Sequence, residues 1–144
     1  MLWVRSLDSP IARPLPGTEG ASDAFWSPDN RSLGFFAEDK LKTIEASGGP
    51  AVVVADAPRE GGGSWNRDGT ILFVPDYAKG IYQVSASGRT PAPVILPDTS
   101  KSWLYAGPRF LPDGEHFLYV TALVTLHWPG PISPPWMAKK DAWC

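Results

Sequence analysis

Trp26-Ser27-Pro28-Asp29-Asn30, Trp65-Asn66-Arg67-Asp68-Gly69 and Phe110-Leu111-Pro112-Asp113-Gly114 carry one local message three times. Each is an aromatic residue followed by a short polar turn. Each then enters an apolar run: Leu33-Gly34-Phe35-Phe36, Ile71-Leu72-Phe73-Val74 and Phe117-Leu118-Tyr119-Val120. Proline presets φ for a turn, and Asp, Asn and Gly tolerate the left-handed geometry that hairpins need. An aspartate in such a turn accepts hydrogen bonds from backbone N–H groups just ahead of it. That assigns Asp29, Asp68 and Asp113 a structural duty and leaves no chemistry to explain.

The turn aspartates stand 39 and then 45 residues apart. A repeat near 40 residues with several short strands per unit is the mark of a β-propeller blade. The expected fold is therefore all-β, a partial antiparallel propeller of about three four-stranded blades. Segment 1–16 reads as the end of a partial blade. Segments 17–58 and 59–98 read as full blades, and 99–122 as the start of a further one. In the first full blade the strands are expected at Ala24–Trp26, Ser32–Ala37, Lys40–Glu45 and Ala51–Ala55, the last buried on one face. In the second they are expected at Ser64–Trp65, Thr70–Val74, Ile81–Val84 and Val94–Leu96. Trp26, Trp65 and Phe110 share one blade position and are expected to wedge adjacent blades together. Segment 123–144 holds four prolines and three tryptophans and is expected to be irregular, because proline cannot donate to a central ladder.

Composition removes several function classes. The 144 residues hold 13 Lys and Arg against 15 Asp and Glu, a net charge of −2. No basic run exceeds Lys139-Lys140, so nucleic acid is not an expected partner. No apolar stretch reaches the roughly 18 residues of a membrane span. The lone cysteine, Cys144, excludes an internal disulfide and a multi-cysteine metal site. Met1-Leu2-Trp3-Val4-Arg5 does not read as a signal peptide, so any export signal or anchor is expected to lie upstream.

Catalytic patterns are missing as well. Gly61-Gly62-Gly63 lacks the Lys-Ser/Thr of a phosphate loop and the spacing of a dinucleotide fingerprint. It reads as a tight passage between blades. Gly62-Gly63-Ser64-Trp65-Asn66 ends in Asn where a nucleophile elbow requires Gly. No kinase catalytic loop, zinc pattern or calcium loop is present, and no cofactor is expected.

An aromatic residue, Ser-Pro-Asp-Asn/Gly, an apolar strand and a Gly-Gly turn together resemble the TolB-type, WD-repeat-like propellers of bacteria. The resemblance covers about residues 1–120. Leu2-Trp3-Val4-Arg5-Ser6-Leu7-Asp8, Phe25-Trp26-Ser27-Pro28-Asp29, Gly62-Gly63-Ser64-Trp65-Asn66-Arg67-Asp68-Gly69 and Phe110-Leu111-Pro112-Asp113-Gly114 are most similar to propellers C-terminal to bacterial serine/threonine protein kinase domains. Asn66-Arg67 departs from the Ser-Pro of that pattern. The resemblance implies a non-catalytic sensing or binding module in an extracytoplasmic setting. It implies a protein, a peptide or a small cell-envelope ligand as partner.

Loops at one propeller mouth commonly carry such binding. Arg59 and Glu60 beside the glycine run are the loop candidates there. Trp103 and Tyr105, in an aromatic inter-blade segment from Ser102 to Ala106, are the others. Two rival readings stay open. One is a TolB-like periplasmic translocation component. The other is the propeller part of a prolyl-oligopeptidase-like peptidase. Because propellers close with about four to eight blades, this chain is expected to be a fragment, to self-associate or to take missing blades from elsewhere.

Overall fold

The computed structural model describes residues 1–101 and 103–123. Within them the chain is all-β. The first hairpin pairs β1 (Leu2–Arg5) with β2 (Ala12–Leu15). Sheet I is the antiparallel meander β3 (Ser22–Trp26), β4 (Ser32–Ala37), β5 (Lys40–Glu45) and β6 (Val52–Asp56). Sheet II repeats that order with β7 (Gly63–Trp65), β8 (Thr70–Phe73), β9 (Ile81–Ser85) and β10 (Ala92–Ile95). The second hairpin pairs β11 (Trp103–Phe110) with β12 (Phe117–Leu123). The tail expected to be irregular lies outside the described residues beyond Leu123.

The three repeated turns share a backbone solution. The N–H groups of Asn30, Gly69 and Gly114 donate to the carbonyls of Ser27, Asn66 and Leu111, three residues back. Those three donors have φ of 59°, 78° and 77°, the left-handed region that Asn and Gly enter at low cost. The turn chemistry read from sequence therefore sets the start of β4, β8 and β12.

Period-two alternation then packs the sheets face to face. From β4, Leu33, Phe35 and Ala37 face the first hairpin with Leu15, while Phe36 faces sheet II. From β8, Ile71 and Phe73 face sheet I. Leu72 and the following Val74 face the second hairpin with Tyr105. Both second strands are thus buried on both sides, and three apolar cores separate four layers in chain order. The first strands β3, β7 and β11 neighbour one another across these layers. Arg109 donates from its guanidinium to the Gly63 carbonyl, and the Phe110 N–H donates to Ser64 Oγ at 3.1 Å.

Three packing expectations need correction. Trp26 is not a wedge: it is 47% exposed, whereas Trp65 and Phe110 are half-buried against the preceding core. Trp26 pairs with Leu33 and so shares its face. That face meets only a two-stranded hairpin, which leaves the tryptophan uncovered. Its neighbour Phe25 is the buried aromatic, pointing toward sheet II. In β6, Val52 and Val53 are exposed and only Val54 and Ala55 are buried. A register shift between Leu41 and Lys42 interrupts the alternation there. Trp103 and Tyr105 do not lie in a loop but in β11, where Tyr105 is 5% exposed and packs on Leu72, Val74 and Ile81.

Candidate functional site

Two ends of the layered stack are available, the turn end and the end where β3, β7 and β11 begin. At the turn end each hairpin closes on itself. Asp29 Oδ1 accepts from the Ser27 hydroxyl at 2.6 Å and the Arg31 N–H at 3.1 Å. Those two donors, the hydroxyl foremost, hold its carboxyl below the ordinary carboxylate range. Asp113 Oδ1 accepts from the N–H groups of Glu115 and His116, both at 2.9 Å. Donation from the His116 backbone, then from Glu115, lowers that carboxyl to about 2.

The middle turn is built differently. Asp68 contributes its own N–H as a donor, and the acceptor is Asn66 Oδ1, at 3.1 Å from Asp68 N and 2.9 Å from Thr70 N. The acceptor role read onto Asp68 therefore belongs to Asn66. This loop closes from Asn66 to Thr70, one residue shorter than the Ser27–Ser32 closure. The longer carboxamide spans what a serine and an aspartate span together in the first turn. Asn66 Nδ2 also donates to the Gly114 carbonyl at 3.0 Å, tying the middle turn to the third. Open grooves of about 450 and 300 Å³ flank it, between Pro28 and Arg67 and between Arg67 and Pro112.

The opposite end gathers polar side chains from the connections between strands. Arg59 and Glu60 lie in the connection from β6 to β7. The Arg59 guanidinium reaches Asp76 at 3.8 Å, and the backbones of these residues form a short parallel bridge. Half-buried Glu60 accepts from the Ser22 hydroxyl at 2.8 Å. Tyr77 lies among them, its phenol pushed up by burial first, then by the carboxylates of Glu60 and Asp23, with Arg59 opposing. Tyr77 also accepts through its carbonyl from the Tyr105 N–H at 2.8 Å. The sequence candidates Arg59 and Glu60 are thus brought together. Tyr105 joins them only through its backbone, and Trp103 packs on the core beside it.

Asp23 carries φ of 46°, a left-handed position inside a strand, at the register shift between Ser22 and Phe25. Sequence reasoning missed Ser22, Asp23, Asp76 and Tyr77. The length of the Pro75–Gly80 loop, against the two-residue Glu38-Asp39 turn of sheet I, was the one available signal for Asp76 and Tyr77.

The glycine run beneath this cluster is buried and closely packed. A Cβ on Gly61 would stand 2.9 Å from the Tyr105 carbonyl oxygen and from Val74 Cγ1. The Gly107 N–H donates to the Gly61 carbonyl at 2.6 Å. The run is a close-approach seam between sheet II and β11, and its neighbours Arg59 and Glu60 carry what reaches the surface. Within the cluster itself, the carboxylates of Asp23, Glu60 and Asp76 stand beside the one guanidinium of Arg59, a balance that favours a basic group over an anion. Among the described residues, no group of three or more His, Cys, Asp or Glu is placed to hold a metal ion. No helix among them is long and apolar enough to cross a membrane. Comparison with family models, curated proteins and solved structures returns no match for this chain.

Proposed function

We propose that the layered sheets are blades of a β-propeller and that the chain is a non-catalytic binding or sensing module. The observation that carries this reading is the face-to-face succession of antiparallel meanders, with first strands β3, β7 and β11 side by side. A propeller stacks its blades around an axis in this way. The resemblance of the turn motifs to propellers C-terminal to bacterial serine/threonine kinase domains adds an extracytoplasmic sensing role. The partner is a protein or peptide that presents a basic group to Asp23, Arg59, Glu60, Asp76 and Tyr77.

A displayed random-peptide library selected on the full chain tests this. Peptides with Lys or Arg should be enriched. Their affinity by titration calorimetry should fall about tenfold, equivalent to about 1.4 kcal/mol, in the double variant Asp23→Asn/Glu60→Gln. It should not change in Asp113→Asn at the far end. No enrichment, or equal losses in both variants, would remove the reading.

A further inference from the structure

Among the described residues the repeat leaves two sheets half-built, one at each end of the stack. Strand order and connections place β1–β2 as the third and fourth strands of a sheet, since a connection to a first strand follows β2 as it follows β6 and β10. β11–β12 are the first and second strands of a sheet, since β11 neighbours β7 as β7 neighbours β3. Among the described residues each hairpin is therefore half a sheet, and the halves are complementary.

The exposed residues match. The Leu111–His116 closure is equivalent to Asn66–Thr70, which aligns Leu118 with Leu72 and Val120 with Val74. Leu72 and Val74 are 2% and 0% exposed because the next layer covers them, while Leu118 and Val120 are 62% and 61% exposed. Trp26 is uncovered because the layer before sheet I has only its outer half. Trp3, on the outward face of β1, is also exposed.

We infer that a second copy of this chain supplies the missing halves: β12 of one copy pairs with β1 of the other, and two copies close head to tail. This rests on the propeller reading for its curvature. The described residues of each copy hold two whole sheets and two halves, so the described residues of the closed pair would form six sheets, within the four to eight of closed propellers. The second copy's β11–β12 would cover Trp26, and sheet I of that copy would cover Leu118 and Val120. The equivalent turn bonds from Ser9 to Ser6 and from Gly88 to Ser85 align Trp3 with Tyr82, so by the register of β8 with β9, where Phe73 faces Tyr82, Tyr119 of one copy stands opposite Trp3 of the other. Closure satisfies both junctions at once, whereas an unclosed heterologous contact propagates into filaments.

Light scattering on the full chain should give twice the 15.6 kDa chain mass. In a Cys144→Ser background, Trp3→Cys and Tyr119→Cys variants should join through a short bis-maleimide cross-linker, which adds one thiol at each end, when mixed and not when alone. Leu118→Lys alters an exposed side chain and should weaken association about tenfold or more without unfolding the monomer. A monomer at all concentrations, including one whose β12 amides are protected by the chain's own later residues, overturns the second copy as occupant and leaves the propeller reading standing. Cross-links within single variants overturn the head-to-tail arrangement. An open ladder of oligomers carrying the Trp3–Tyr119 cross-link overturns closure, and the propeller reading with it.

Discussion

The Phe25 ring lies over Gly34, its cross-strand partner in sheet I, and occupies the space a Cβ on Gly34 would need. The same ring blocks Gly63 in β7, where a Cβ would stand 2.8 Å from Phe25 Cε1. One aromatic side chain thus locks two sheets together through two absent side chains.

Gly34→Ala should destabilise the chain by about 1–3 kcal/mol, the cost of overpacking a filled core. Urea denaturation measures it. In a Phe25→Ala background, itself costing about 3–5 kcal/mol, the added cost of Gly34→Ala should largely vanish. Equal costs in both backgrounds would refute the coupling.

Asn66→Ala should cost about 1–3 kcal/mol, because it removes the acceptor of two turn N–H groups and the donor to Gly114. Asp68→Ala should stay within about 0.5 kcal/mol, since that side chain holds no turn N–H. Thermal melts of the two variants side by side decide between them.

Asp113 makes a pH prediction with a defined sign. Its carboxyl is lowered from 3.8 to about 2 in the folded chain. A depressed folded value contributes stability above the unfolded value, lost as pH falls from about 4 through about 2. Chemical-shift titration should place its midpoint near 2, and Asp113→Asn should flatten stability over that window. A midpoint near 3.8 would contradict the turn geometry.

Tyr77 titrates in the opposite sense. Its phenol is raised above the ordinary 10.0, so its contribution is complete below that value and is lost as pH climbs through the folded one. Arg59→Ala removes a lowering charge and should raise the Tyr77 transition further. Glu60→Gln should bring it down. Ultraviolet titration, with Tyr77→Phe to assign the signal, reads both shifts.

The all-β character and the position of the three repeated turns were legible from sequence, because a turn is settled by three or four consecutive residues. Pro28, Asp29 and Asn30 act on their own backbone wherever the chain goes. Arg59 and Glu60 were legible as exposed polar residues beside a glycine run. Their companions were not, because Ser22 and Asp23 come from the start of β3 and Asp76 and Tyr77 from the β8–β9 loop, segments that only the stacked layers bring together.

By itself, then, the amino-acid sequence determined the strands, the turns and the four-strand order, all products of short-range dihedral preference and period-two patterning. Tertiary structure alone decided that Phe25 and not Trp26 is buried and that Tyr105 belongs to the core. Burial is set by which layer covers a face, and that depends on residues some twenty to fifty positions away.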